Sequence, residues 1–382
     1  MIETKVWRSF RDAEATVRPF LAEHTRNPFL SFDWTAEYSR CVREPQGWQP
    51  LPVGFFRTGR MVAFAALSER LRAGGIRIVS FTGEGRGCYL GLAGEVSPEI
   101  VAALRREAAR ESPHTVLRLS DVPKDDPLLS ALGPLDGFTE VRRTPIDVCP
   151  FRDLRPGAPR DSASHRKTQQ TIHRHLRRLK SAGEVRHVVL DFDARREEAL
   201  AWLPRLWALH DLRHHERRNP WTAPANREFL GAYLKRAGRS DAICFVLLLD
   251  GAPVSFELGL RMGNALCMFL TACHPGYPSL SLTQINRSLS FDACGDLGVE
   301  IYDLGRGEAR SKRVWTSGAR TNLELVAAAG TSWRARLAAA ALAAMTRARI
   351  RARDHGASRS KLKIFWSACL TRAGRLTGCR PY

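Results

Sequence analysis

Two stretches of the chain follow one plan, and that repetition restricts the fold more than any other feature. The first is VGFFRTGRMVAFAALSERLRAGGIRIVSFTG, Val53 to Gly83; the second is CFVLLLDGAPVSFELGLRMGNALCMFLTAC, Cys244 to Cys273. Each opens on a short apolar run and makes a two-residue turn, Thr58-Gly59 in one and Asp250-Gly251 in the other. Each continues through a longer strand, turns again at glycine (Ala73-Gly74-Gly75; Met262-Gly263-Asn264) and ends in a third strand. Glycine at the second turn position supplies the positive φ of a tight hairpin. Each stretch therefore predicts a three-stranded antiparallel meander.

The parallel continues. In the first half SPEIVAALRREAARES predicts a helix, capped by Ser97 with Pro98 at its first position, before the strand VLRLS. In the second, PSLSLTQINRSLSFDACGD leads to VEIYDLG. Meander, helix and strand describe a mixed sheet with a helix on one face. The expected fold class is thus α/β, as an α+β mixed sheet, in two copies: 1–155 and 156–330, with a tail over 331–382. Between the copies, PFRDLRPGAPRDSASHRKTQQ reads as a linker that becomes a helix near Ser164. That helix carries Ile172, Leu176 and Leu179 on one stripe, with Lys180 in its last turn and Gly183 as its C-cap. EEALAWLPRLWALHDLRHHER comes next as one or two apolar-striped helices, with a break or new start expected at Pro204.

The formal net charge is +20, and it is concentrated. Residues 152–187 hold ten Lys/Arg against three Asp/Glu, and residues 331–382 hold twelve against one, so these segments account for 18 of the excess charges. Such segments suit a polyanion: nucleic acid, acidic lipid or a phosphorylated substrate. The nine cysteines are scattered without a CxxC pair, which fits a reducing compartment. The opening residues lack an apolar h-region, and the run Leu337–Met345 is too short to span a bilayer. The expected location is cytoplasmic, at most peripheral to the inner face of a membrane.

The richest stretch is YDLGRGEARSKRVW, Tyr302 to Trp315, which ends the strand of the second copy. Asp303 stands near a strand end, where ligands commonly bind in α/β sheets. Gly305 and Gly307 allow a sharp turn or a close ligand. Glu308 adds a second acid, Lys312 returns a positive charge, and Trp315 can anchor the next segment of chain. Together they form a candidate substrate clamp. Glu257, in the middle of PVSFELGL, is the leading candidate base, because a carboxylate within an apolar strand has a raised pKa. The alternation Val254, Phe256, Leu258, Leu260 leaves a solvent-facing Glu257 as the alternative. His210, His214 and His215 invite a metal reading, but without an HExxH arrangement a polar or, with Arg213, anion-binding helix face is expected and no metal.

These motifs resemble the CelD/FemAB-like branch of the GNAT acyltransferase superfamily, double-GNAT proteins linked to polysaccharide and cell-envelope biosynthesis. NPFLSFDW (Asn27–Trp34), HRHLRRLKSAGEV (His173–Val185), LWALHDLRHHER (Leu206–Arg217) and YDLGRGEARSKRVW carry the resemblance over roughly residues 27 to 320. It implies two tandem GNAT-like domains and transfer of an acyl group from acetyl-CoA or another acyl-CoA to a small-molecule or sugar-linked acceptor. A pyrophosphate needs backbone N–H donors at a helix N-terminus, and the candidate cradle is HPGYPSLSLTQINRSL. There His274, Gly276, Ser279 and Ser281 would contact the cofactor, and a helix is expected from near Ser279. Pro278 removes one donor, and the turn shows neither the Arg-x-x-Gly-x-Gly/Ala nor the Ser-Pro-Gly pattern of such proteins. Glu257 and Asp303 are the candidate bases, and Tyr277 or Tyr302 the candidate donors to the leaving thiolate. A Fem-like aminoacyltransferase using charged tRNA, with stacking on Trp333 or Trp366, and a non-catalytic binding module are the alternatives.

The tail divides into an alanine-rich helix, WRARLAAAALAAMTRARIRARD, and a segment placing Leu362, Phe365, Trp366 and Cys369 on one helical face bordered by basic residues. Such a face suits an anionic membrane surface, and equally the protein's own body. In liposome co-sedimentation at low salt, the full chain is expected to pellet with anionic vesicles and a chain ending at Gly330 to stay in solution. Added salt should release the full chain. Equal pelleting of both, or none, excludes membrane docking by the tail.

Overall fold

Both two-residue turns of the repeat adopt the same backbone: Thr58 and Gly59 have φ of 49° and 77°, and Asp250 and Gly251 have 48° and 73°. Positive φ at both positions is the I′ pattern, whose twist matches that of the flanking strands. From these turns the computed structural model builds one mixed sheet; it describes residues 2–132, 141–158, 163–215, 219–236 and 241–354. The first half contributes β1 (Glu3–Val6), α1 (Phe10–His24), α2 (Phe32–Tyr38), β2 (Gln49–Arg57), β3 (Arg60–Leu71), β4 (Arg77–Phe81), β5 (Ala93–Gly94), α3 (Pro98–Ala109), β6 (Thr115–Pro123), α4 (Pro127–Ala131) and β7 (Arg142–Asp153). The second contributes α5 (Ala163–Ala182), β8 (Val185–Asp191), α6 (Arg196–His214), α7 (Pro224–Lys235), β9 (Ala242–Leu249), β10 (Ala252–Met262), β11 (Ala265–Cys273), α8 (Leu282–Asp296), β12 (Ile301–Asp303), α9 (Arg310–Arg313), β13 (Gly318–Ala328) and α10 (Trp333–Asp354).

The strands run β1-β2-β3-β4-β6-β13-β7-β12-β11-β10-β9-β8, with β5 on β3. Both meanders and both helix–strand continuations are present, as the sequence predicts. The order also shows an exchange that the repeat does not reveal. β13, from the second half, lies between β6 and β7 of the first, while β7 pairs with β12 of the second. Each half gives its last strand to the other, so the sheet is continuous across the chain.

The helices cover this sheet with the stripes their sequences dictate. Ser97 accepts from the Ile100 N–H and Pro98 opens α3. Ile172 and Leu179 of α5 are buried in a cluster with Ile285 of α8 and Trp315. Trp34, in the NPFLSFDW segment, sits edge-on to Phe29, Phe229, Tyr233 and Phe269 at 4.8–6.0 Å, joining first-half α2 to second-half α7 and β11. Two expectations are corrected. α6 runs unbroken through Pro204, whose ring lies on the exposed face where water can satisfy the freed carbonyl. α8 begins at Leu282 rather than near Ser279, because Ser281 adopts the left-handed conformation (φ 50°) just ahead of it.

The alanine-rich part of the tail belongs to the body. Ala335, Ala339 and Ala343 of α10 are buried against Val116, Val326 and Ala328 of the sheet. Small residues let the helix approach the strands closely, so a chain ending at Gly330 loses a packed helix, and one ending at Asp354 is the version that tests the tail. The Leu362–Cys369 face lies outside the described residues. No helix of the described residues is long and apolar enough to cross a membrane.

The site is positioned by a parting of two parallel strands. β11 and β12 pair through Ala265–Ile301, Leu266–Tyr302 and Cys267–Asp303 and then separate. β11 stays with β10 as far as Cys273, whereas the chain beyond β12 runs along β7, with Leu304 and Gly307 N–H groups bonding Pro150 and Val148 carbonyls at 2.9 and 2.8 Å. Gly305 stands at the fork: its φ is 70°, and a Cβ there would fall 2.1 Å from the Met268 carbonyl oxygen. Gly307 has φ 88° with no atom within 4 Å of such a Cβ. In urea unfolding, Gly305→Ala is expected to cost on the order of 3 kcal/mol, from strain plus backbone collision, and Gly307→Ala about 1 kcal/mol, from strain alone. Equal losses would show that the fork does not depend on this approach.

Candidate active site

Past the fork, the freed edge of β11 from Met268 to Thr271 walls a cavity of about 320 Å³. Its other walls come from Glu257 on β10, Arg287 on α8, Leu304, Arg306 and Lys312 beyond β12, and Trp221 ahead of α7. The first half supplies Gly85, Arg86 and Cys88 from the loop after β4. In the first half β4 and β6 also pair only through Arg77–Thr115, Ile78–Val116 and Val79–Leu117. There the chain bonds back into the fork: Leu90 N–H to the Asp121 carbonyl at 2.9 Å and Gly85 N–H to Asp121 Oδ2 at 3.1 Å. One fork is filled by its own loop, and the other holds the cavity. A larger hollow of about 650 Å³ lies by Arg18, Asn27, Asp33, Asp241 and Arg261; Arg18 there is bound to Glu14 and Asp33, and none of the expected site residues line it.

The cavity floor is a buried ion pair. Glu257 is 1% exposed, accepts from Arg287 Nη2, and accepts from the Tyr302 hydroxyl at 3.0 Å. Burial pushes the Tyr302 phenol up, reinforced by the charge of Glu257. Lys312 donates to the Gly305 and Arg306 carbonyls at 3.1 and 2.7 Å, which fixes it over the fork, and burial together with Arg287 lowers its pKa. Arg306 pairs with Asp121 of the first half at 2.8 Å and donates to the Gly87 carbonyl. Burial raises the Asp121 carboxyl to about 6 despite that pairing. Arg86 bonds Asn226 Oδ1 at 3.1 Å and lies 5.6 Å from the Trp221 ring.

The expected residues divide. Glu257 and Lys312 line the cavity together. Asp303 does not: it is fully buried beneath the fork, accepting from Gly305 N–H at 2.8 Å, from Arg320 at 3.1 Å and from the Tyr89 hydroxyl. Desolvation raises its pKa, and its partners place it as the brace of the turn rather than at an open rim. Gly305 approaches backbone, and Trp315 is buried with its indole N–H on Gln284. Glu308 and Arg213 are exposed outside the cavity lining. His274, Gly276, Tyr277, Ser279 and Ser281 form the loop ahead of α8, where His274 Nδ1 accepts the Gly276 N–H at 3.0 Å and Ser281 makes no side-chain cap. Arg86, Trp221, Arg287 and Arg306 are not singled out by the sequence. For Arg287 a signal exists, since an arginine beside Ile285 and Asn286 and ahead of Ser290 falls on the buried stripe of α8.

Residues 166–313 match the family model described as an acetyltransferase (GNAT) domain. That span holds every cavity-lining side chain contributed by the second half. Solved structures similar in fold include the C-terminal domain (DUF2156) of a putative lysylphosphatidylglycerol synthetase from Agrobacterium fabrum, at 14% identity, 87% of this chain, 94% of that chain and TM-score 0.55. FemX is similar at 12% identity, 85% and 96% coverage and TM-score 0.54. L-PGS from Bacillus licheniformis stands at 11% identity, 87% and 96% coverage and TM-score 0.53. No curated protein matches in sequence. The chain carries a GNAT-type acyltransferase domain, on a mixed α/β fold shared along most of its length with these structures.

Of the histidine cluster, His215 is exposed and His214 half-buried, beside the exposed Arg213, and only His210 departs from the polar face expected. His210 is fully buried, its ring 4.5 Å from that of His214, and neither ring nitrogen has a hydrogen-bond partner among the described residues. Burial, with help from His214 and Arg227, lowers its pKa to about 4. Among the described residues no group of three or more His, Cys, Asp or Glu side chains is placed to hold a metal ion. Because the folded value lies below the unfolded one, His210 contributes stability above about pH 6.5 that is lost as pH falls toward 4. His210→Phe should reduce the stability lost between pH 7 and 5 by about 2 kcal/mol in urea unfolding. An unchanged pH dependence would mean that His210 is hydrated or charged in the folded protein.

Proposed function

We propose that the cavity at the β11–β12 fork is the site of acyl transfer from acetyl-CoA or another acyl-CoA to an amine or hydroxyl. The observation that carries this reading is the contrast between the two forks, filled in the first half and open in the second. The second unit, residues 156–330, is then the catalytic one and residues 1–155 support it, with the described part of the tail covering the sheet. Glu257 keeps acceptor capacity beyond its bonds to Arg287 and Tyr302. It takes the acceptor's proton as the new C–N or C–O bond forms and the C–S bond breaks, and the proton passes to the leaving thiolate. Lys312 and Arg306 stand where an oxyanion can be stabilised. Donor phosphates are assigned to the 274–281 loop at the N-terminus of α8, although the Gly276 N–H already serves His274. The acceptor class proposed is a small-molecule or sugar-linked component of polysaccharide or cell-envelope biosynthesis, in keeping with the CelD/FemAB-like motifs, and the enzyme would work in the cytoplasm or beside the membrane's inner face.

A second reading, a Fem-like aminoacyltransferase using charged tRNA, draws on α5. Arg166, Lys167, Arg174, Arg177, Arg178 and Lys180 are exposed along it, and none makes an ion pair with a described residue. The cationic cavity opposes that reading, because an aminoacyl group brings an ammonium of its own. Calorimetric titration of the full chain with acetyl-CoA separates the two. Saturable binding that is lost on Ser281→Pro supports acyl-CoA as donor. Absence of acetyl-CoA binding together with a shift of charged tRNA in a gel supports the aminoacyl reading instead.

A further inference from the structure

We infer that the molecule delivered to this cleft carries an anionic group, a phosphate or a carboxylate, seated among Lys312, Arg86 and Arg287. The inference rests on the reading of the fork as the transfer site, and it adds the acceptor's charge. The cavity lining holds four cations, Arg86, Arg287, Arg306 and Lys312, against one acid, Glu257. Arg306 is neutralised by Asp121 and Arg287 by Glu257. Lys312 and Arg86 have no carboxylate partner among the described residues; their bonds go to carbonyls and an amide oxygen. Burying cations without counter-charge is costly, and a site that retains two of them gains most from an anion.

Arg287 supplies an independent observation. It is 3% exposed, it lines the cavity, and its Nε and Nη1 groups make no hydrogen bond to any described residue. Nη2 is engaged by Glu257. Unsatisfied buried guanidinium donors are rare, and an incoming oxyanion satisfies them with charge-assisted bonds. Trp221 and Phe269, with ring centroids 5.6 Å apart, add an apolar wall. The ligand thus presents an apolar or ring face to the aromatics and its anion to the cations, a division typical of small-molecule sites.

The test is calorimetry on the full chain at low salt with inorganic phosphate and, separately, acetate. Saturable binding of either supports the proposal, and the tighter of the two identifies the anion. Arg86→Gln and Lys312→Met should each weaken that binding by about tenfold, the value of one charge-assisted bond, while the exposed Arg213→Ala leaves it unchanged. Melting curves confirm that the variants fold, and Arg86→Gln, which leaves the Lys312 bonds to the fork carbonyls in place, stands if Lys312→Met does not. No saturable binding of either anion, or equal weakening by Arg213→Ala, overturns the proposal. Anion binding without acetyl-CoA binding would remove the acyl-CoA reading and leave this one standing.

Discussion

The pairing of β7 with β13 is the contact on which the rest of the structure depends. It runs from Gly318 opposite Phe151 to Val326 opposite Arg142, and each strand also pairs into the other half. Through it, the first-half loop carrying Arg86 and Cys88 is held over the second-half fork. The Asp303 carboxylate, braced by Tyr89 from one half and Arg320 from β13, ties the same junction at a buried point. Neither half can present the cavity alone, since its walls come from both.

Electrostatics then shapes what that junction holds. Removing Glu257 would leave Arg287 charged and uncompensated in the interior, a loss of roughly 3–5 kcal/mol, so the pair is a structural commitment as well as a chemical one. Arg306 and Asp121 make a second such link across the halves, with burial raising the Asp121 carboxyl to about 6. The cavity is therefore held open by paired charges and characterised by the unpaired ones.

Much of the fold was legible in the chain. The meanders announced themselves through their turn residues, and α3 through Ser97 and Pro98, because local backbone preference and tertiary structure agree there. The exchange of β7 and β13 was not legible, since pairing across a long sequence separation leaves no local mark. At the site, Glu257 and Lys312 stood out as charges in unusual settings, and both line the cavity. Asp303 stood out for the same reason and lies buried as a brace; sequence cannot say on which side of a strand end the solvent is. Arg86 and Trp221 lie in segments with no motif and reach the cavity only through packing between halves.

The exchange of last strands also sets a timetable. When β6 and β7 leave the ribosome, the strand that fills the gap between them, β13, has yet to be made, because it begins only at Gly318. At usual synthesis rates that interval is on the order of ten seconds. During it, two strand edges rich in unpaired N–H and C=O groups stand open to other chains. A nascent molecule of this protein is therefore most vulnerable to mispairing midway through its synthesis, and β13, the last strand among the described residues, is the one that closes it.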